Sequence, residues 1–460
     1  MRWFIGGCIL GIVLAFLPSC EWINRVRLLP IASEWIWPIN NPVIVQKYAV
    51  SSPFADGKYH TGVDIEGKTA PCSPGDIGKC SPVFASADGV VKKIFRCAYD
   101  DCRYDGSAIS DNHNMQGVVI LEHYLPDGTV VFSLYAHLGW ISESLEEGQL
   151  IKRGTLIGFT GVYIRVKNNG KWVWPGQWKK HVHFEIKDQP TLHNPRGEGL
   201  YWGYTPVHPD YYGYCNPLYY ILKDKLLGVD ISSGRGGPST LVAIDPETGH
   251  CVSIGKIEGF DSIEGLAFCD GTLFGLSNPT LGGTGELVKI DPTTGEATAL
   301  YKLRDYLDLS SLTCSPNGTL FATVDTTPGT AGSILIEIIP RTGRVNTMGS
   351  IGFPVEAIAF APDGTLFGAA DITGNASAQT LVIIDPTTGA STVVGPFGPE
   401  FIDVDALAFS PKHGVLFGAN LETGALFRVD PSTASGNLIG YMEFCCIGGM
   451  DFNGRFLGCK

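Results

Sequence analysis

Between about Thr240 and Lys460, short apolar stretches alternate with turns rich in Gly, Pro and Asp, and they do so on a fixed period. One phrase is an apolar strand running into a turn: Ile244-Asp245-Pro246, Ile290-Asp291-Pro292, Ile338-Ile339-Pro340, Ile384-Asp385-Pro386 and Val429-Asp430-Pro431. Its middle residue recurs after 46, 48, 46 and 45 residues. A second phrase keeps the same step: Leu273-Phe274-Gly275, Leu320-Phe321-Ala322, Leu366-Phe367-Gly368 and Leu416-Phe417-Gly418, with Phe456-Leu457-Gly458 as a degenerate fifth copy. A period in the mid-forties with several short strands per unit predicts the blades of a β-propeller. One blade cannot bury both of its faces, so blades stack in a ring. The array starts in mid-unit, with strands near Leu241 and over residues 251–257. It ends with residues 448–452 and 455–459, which correspond to the first two strands of a unit. Joining the two halves predicts five blades and a closed circle without free sheet edges.

Residues 37–222 behave differently: they do not repeat, and they are rich in His, Trp and Tyr. Between the two regions, Ser232-Ser233-Gly234-Arg235-Gly236-Gly237 reads as part of a linker. The chain therefore divides into a leader at 1–20, a domain at 37–225, a linker at 226–239 and the propeller at 240–460, and the fold class is mainly β. Length agrees, since 460 residues are too many for one ordinary domain. With 44% hydrophobic residues the chain has material for real cores, and 58 Gly and 29 Pro favour many short strands over long helices. A formal net charge of −13 argues against general nucleic-acid binding, which needs a basic face.

The N-terminus has its own pattern. Arg2 precedes an apolar run from Trp3 to Phe16, followed by Leu17-Pro18-Ser19-Cys20. A basic head, a short apolar run and a small residue before the cut describe an export signal, and the run is short for a permanent span. The tetrad ending in Cys20 resembles the lipobox of bacterial lipoproteins, although Pro18 is unusual there. The favoured expectation is a lipoprotein anchored to the membrane through Cys20, ahead of a plain secretory signal or an uncleaved anchor. Thirteen cysteines suit an exported protein. Cys72, Cys80, Cys97 and Cys102 cluster, and two disulfides are favoured over a structural zinc site because seven residues separate Cys72 from Cys80.

Three phrases carry chemistry: His60-Thr61-Gly62-Val63-Asp64, Tyr135-Ala136-His137-Leu138 and His181-Val182-His183-Phe184-Glu185. Zinc takes imidazole nitrogen and carboxylate oxygen, and a catalytic site keeps one position open. Alternate residues of a strand share a face, so His181 and His183 project together. His60 and Asp64, flanking a Thr-Gly pair, can converge on one ion across a tight turn. Either pattern alone is weak evidence; the three in this order are not.

Together these phrases look like those of the lysostaphin-type zinc endopeptidases, which cleave peptide cross-bridges in bacterial peptidoglycan. The resemblance covers about residues 37–222, and it includes Trp37-Pro38, Asp88-Gly89-Val90-Val91, the glycines 148, 154, 158 and 161, and Asn216-Pro217-Leu218. It implies an antiparallel β-sheet domain that binds Zn²⁺ through His60, Asp64 and His183. His137 and His181 are the implied catalytic pair, one taking the proton of the attacking water and the other serving the oxyanion or the leaving amine. Tyr135 and His123 are candidate donors behind the ligands, with a structural role as the alternative for His123. The chain departs from the family by insertions at 65–81, at 97–114 and at 162–180. The last holds Trp172, Trp174 and Trp178, which either stack on sugar rings or pack the loop. The implied activity is hydrolysis of stem peptides or cross-links of peptidoglycan in the cell envelope, at the periplasm or cell surface. Two alternatives stand beside it: a non-catalytic scaffold or activator of a separate hydrolase, expected to have lost a ligand, and a secreted bacteriolytic protein. The propeller carries no motif that names a partner. Its Asp-Pro-x-x-Gly phrases are read as tight turns rather than calcium loops.

Overall fold

The computed structural model describes residues 29–51, 58–67, 80–96, 103–104, 107–108, 117–160, 162–168, 171–179, 181–192, 195–196, 203–231, 237–260, 262–278, 284–306, 308–325, 332–372, 379–443 and 446–453. The leader with Cys20, and Cys72, Cys97 and Cys102, lie outside them. Among the described residues no helix is long and apolar enough to cross a membrane. The chain forms two compact units, Met1–Ile221 with Gly458–Lys460, and Leu222–Leu457.

The first unit is built on an eight-stranded antiparallel sheet. Its main path runs Pro42–Gln46, Val63–Gly67, His181–Lys187, Val130–Ala136, Val118–Tyr124, Gly89–Phe95, Leu150–Ile151, and Tyr214–Cys215 also pairs with His181–Lys187. Strand alternation separates two faces. Val63, Ile65, Val182, Phe184, Ile186 and Tyr135 share one face and are almost completely buried. Asp64, His181, His183, Glu185 and Lys187 share the other, beside buried Leu134 and Phe132. The insertion at 162–180 is an antiparallel hairpin, Val162–Asn168 with Lys171–Lys179.

The second unit contains five four-stranded antiparallel sheets, the predicted propeller. The innermost strands are Ile263–Cys269, Leu309–Cys314, Val355–Phe360, Val404–Ser410 and Ile447–Phe452. Each touches the next, and the last returns to the first, so the ring closes. Apolar side chains fill the gaps between blades; one such cluster places Phe397, Phe401 and Phe427 among Ala357, Phe367 and Leu416. Polar side chains latch neighbouring blades. Ser239 Oγ accepts from Ile263 N at 2.9 Å, Ser333 Oγ from Val355 N at 2.9 Å, and Gln379 Oε1 from Val404 N at 2.6 Å. Each satisfies the first backbone donor of the next inner strand.

Two expectations need correction. Residues 226–230 are not linker: Leu226–Asp230 is a fully buried strand between Thr240–Ile244 and Ile447–Phe452. The closing blade therefore takes three strands from the start of the unit and one from its end, where two and two were expected. Residues 455–459 lie outside the described residues, and the second-strand position assigned to them is filled. Leu226-Leu227-Gly228 is the missing copy of the Leu-Phe-Gly phrase. A Cβ on Gly228 would meet Ile244 Cδ1 at 2.8 Å, as one on Gly275 would meet Ile290 Cδ1 at 2.8 Å and one on Gly368 would meet Ile384 Cδ1 at 2.9 Å.

The Asp-Pro turns use their own carboxylates. Asp245 Oδ1 accepts from Glu247 N at 2.8 Å, Asp385 Oδ1 from Thr387 N at 2.8 Å, and Asp430 Oδ1 from Ser432 N at 2.8 Å. A disulfide joins Cys269 to Cys314 across two adjacent blades. Cys80 and Cys215 are each disulfide-bonded as well.

Candidate metal centre

The site forms where Val63–Gly67 and His181–Lys187 lie side by side. Their register sets His183 opposite Asp64 and His181 opposite Glu66. Directly opposed residues share a face at short range, so the imidazole and the carboxylate meet without help from a loop. His60 arrives from the short strand Tyr59–His60, paired with Tyr204–Thr205. Thr61 and Gly62 return the chain to Asp64. Gly62 is required there, because a Cβ at that position would fall 2.4 Å from the Phe184 carbonyl oxygen.

His60, Asp64 and His183 are 1%, 6% and 2% exposed. His60 Nδ1 lies 3.1 Å from the Lys47 carbonyl oxygen, which can only accept, so Nδ1 carries the proton and Nε2 presents a lone pair. His183 Nε2 lies 3.0 Å from Glu185 Oε1. Glu185 is completely buried, and burial alone would raise its pKa. The Lys187 charge, with His183 and their hydrogen bonds, instead holds it well below the usual carboxylate range. An ionised carboxylate only accepts, so His183 Nε2 is a donor and Nδ1 faces the site.

Three acceptors therefore converge. His183 Nδ1 is 2.8 Å from Asp64 Oδ1 and 3.0 Å from His60 Nε2, which is 3.3 Å from Asp64 Oδ1. Burial would raise the Asp64 pKa; the imidazoles packed around it, His60 and His181 foremost, with His183, hold it well below the carboxylate range. For His183, burial opposes charge, but Asp64 and Glu185 outweigh it and raise its pKa to about 9. One extra proton on Nδ1 serves at most two of the three contacts. A divalent cation serves all three atoms at once, and two imidazoles with a carboxylate are a donor set that zinc accepts. Among the described residues this is the one group of three or more His, Cys, Asp or Glu side chains whose ligand atoms gather closely enough for an ion. The residues present thus fit a metal.

His181 stands beside the group, with Nε2 3.3 Å from Asp64 Oδ2. His137 follows the strand Val130–Ala136, next to His181–Lys187, and its backbone is left-handed at φ 64°. This conformation is uncommon outside glycine. It ends one strand and turns the chain into Leu138–Ile141 of a separate three-stranded sheet. The His137 and His181 rings lie 5.0 Å apart at 87°, and those of His137 and His183 are 6.0 Å apart. All five residues picked from the sequence are gathered here.

Two candidate donors are not. Tyr135 pairs with Phe184, on the face away from the ligands, and its hydroxyl accepts from Ser86 N at 2.9 Å. His123 is on that same face, held by the Asp88 carbonyl oxygen at 2.9 Å and by Ser133 Oγ at 2.7 Å. Burial lowers its pKa to about 4, so it is a neutral core histidine. What sequence reasoning missed is Glu185, although the signal was there: it is two residues beyond His183 and therefore on the same face.

Several solved structures are similar to this chain at a low level. TolB from Acinetobacter baumannii is 16% identical over 50% of this chain and 54% of that one, with a TM-score of 0.34, so the match spans about half the length of that chain. A nidogen/laminin complex chain is 12% identical over 50% of this chain and 98% of its own, with a TM-score of 0.35. The PQQ-bound aldose sugar dehydrogenase of Streptomyces coelicolor is 14% identical over 47% and 79%, with a TM-score of 0.32. No curated protein matches the sequence. The model of Peptidase family M23 matches residues 58–195, a span that contains His60, Asp64, His137, His181 and His183. The first unit of this chain carries a Peptidase family M23 domain.

Proposed function

We propose that the protein is an exported zinc-dependent endopeptidase that hydrolyses stem peptides or cross-links of bacterial peptidoglycan. The observation that carries this reading is the convergence of His60 Nε2, Asp64 Oδ1 and His183 Nδ1 on one buried point beside two further imidazoles. His60, Asp64 and His183 would hold a zinc ion, which would supply Lewis acidity toward the scissile carbonyl and toward water, whose pKa such an ion lowers to roughly 7. The chain's own residues do the rest. The second oxygen of Asp64 lies 3.3 Å from His181 Nε2, which keeps that ring beside the ligands. His181 and His137, edge to face, provide one group to accept the water proton and one to serve the oxyanion or the leaving amine. Burial of the ligands limits bulk water around them.

The leader ending at Cys20 supports a lipid-anchored protein of the cell envelope, with peptidoglycan as the substrate and the propeller as a rigid body whose partner the sequence does not name. The test is to incubate the full-length protein with purified cell-wall sacculi, with and without a chelator. Release of muropeptides that stops on chelation and is absent for His183→Ala is the expected result. Equal profiles for wild type and His183→Ala would leave only a scaffold or activator.

A further inference from the structure

Glu185 and Lys187 are both 0% exposed, and neither belongs to the group whose ligand atoms gather closely enough for an ion. A buried ion pair is seldom a net source of stability, since two charges lose their water for one contact. Its arrangement here points elsewhere. Glu185 Oε1 takes two hydrogen bonds, from His183 Nε2 at 3.0 Å and from Thr61 Oγ1 at 2.6 Å. His183 belongs to one ligand-bearing segment, and Thr61 lies between the two ligands of the other. One oxygen atom thus ties both segments together. The second oxygen, Oε2, is anchored by Lys187 Nζ at 2.8 Å. The ammonium in turn sits 5.4 Å from the centre of the Tyr214 ring, whose strand pairs with Ile186 and Lys187.

We infer that the Glu185–Lys187 pair is the positioning device of the metal centre: Glu185 fixes the His183 ring relative to the His60–Asp64 turn, and Lys187 fixes Glu185. The inference rests on the reading that His60, Asp64 and His183 hold a divalent ion. Neither residue touches the ion or the substrate; both act through His183. Groups that hydrogen-bond the outer nitrogen of a ligand imidazole typically change metal affinity by 10- to 100-fold.

Removing Glu185 alone would strand the buried Lys187 charge, so the test uses paired variants of the full chain. E185Q/K187M keeps a carbonyl oxygen for His183 and Thr61; E185A/K187M does not. Zn²⁺ dissociation constants are read by competition with a chelating dye, and melting temperatures are read on the metal-free proteins. The expected result is affinity within about threefold of wild type for E185Q/K187M and a loss of about 10- to 100-fold for E185A/K187M, at similar metal-free melting temperatures. Substitution of Thr61 by Val keeps every charge and offers the same readout should either double variant fail to fold; it is expected to weaken Zn²⁺ severalfold. Equal affinities for the two double variants, or no change for Thr61→Val, overturn the positioning role. A wild-type protein that takes up no Zn²⁺ overturns the metal reading itself, and the inference with it.

Discussion

Buried carboxyl groups meet opposite treatment in the two units. In the metal centre Asp64 and Glu185 are 6% and 0% exposed, yet both are held well below the carboxylate range by the imidazoles and the ammonium packed around them. In the propeller, Asp451 and Glu356 are instead pushed up to about 7. Burial is the first cause in both. Glu356 also faces the negative charges of Asp325, Asp308, Asp403 and Glu264, and Asp451 has only the backbone donors of Phe268 and Phe452 to offset its burial. Partners, more than depth, decide whether a carboxylate stays charged. One unit invests its sequence in bringing opposite charges to a point; the other repeats an apolar motif and tolerates like charges near its inner strands.

The sharpest way to test that contrast is to remove a ligand. His183→Ala should abolish metal uptake and sacculus hydrolysis while leaving the melting transition of the propeller in place; loss of both together would join what the comparison separates. The converse is Phe427→Ala. This ring is 0% exposed and stacked on Phe401 at 3.9 Å, so its loss should destabilise the propeller by about 3–5 kcal/mol in denaturant titrations, with Zn²⁺ affinity unchanged. Next comes Cys269→Ser. The Cys269–Cys314 bond closes a separation of 45 residues, and its removal should cost the propeller about 2–4 kcal/mol, a difference that vanishes when both proteins are reduced.

The smallest effect is electrostatic. Because the folded-state pKa of Glu356 lies above its ordinary value, the folded propeller binds more protons than the unfolded chain between about pH 4.5 and pH 7. Its stability should therefore fall as pH rises through that window and then level off. Glu356→Gln should remove this slope and stabilise the propeller at pH 8 by roughly 1–2 kcal/mol, allowing for partial solvent screening, with little change at pH 5. A variant whose melting temperature tracks wild type at both pH values would show that the neighbouring acids do not act on Glu356.

Much of this was legible in the chain because both units write their geometry in short phrases. His-x-His works at the level of a strand: period two alone brings His181 and His183 to one face, and the same rule reaches Glu185, whereas Tyr135 is excluded only by the register that sets it opposite Phe184. The five-blade ring followed from the spacing of Asp-Pro and Leu-Phe-Gly. The closing blade was misread because Leu226-Leu227-Gly228 lacks the aromatic that marks the other copies, although it stands 47 residues before Leu273, one repeat away. Physically the position needs only a glycine under an isoleucine methyl, and Leu227 serves where Phe serves elsewhere. The Cys269–Cys314 bond could not be paired by spacing in a chain with many cysteines, since it depends on two inner strands lying side by side. The left-handed backbone of His137 is likewise a product of where two sheets part, which no local pattern records.

Metal content is the most direct test of the central claim. Full-length protein loaded with Zn²⁺, freed of excess by gel filtration and analysed for elements should retain about one zinc per chain, against none for His183→Ala. Wild-type protein that emerges without zinc, or a variant that retains as much as wild type, would contradict the account.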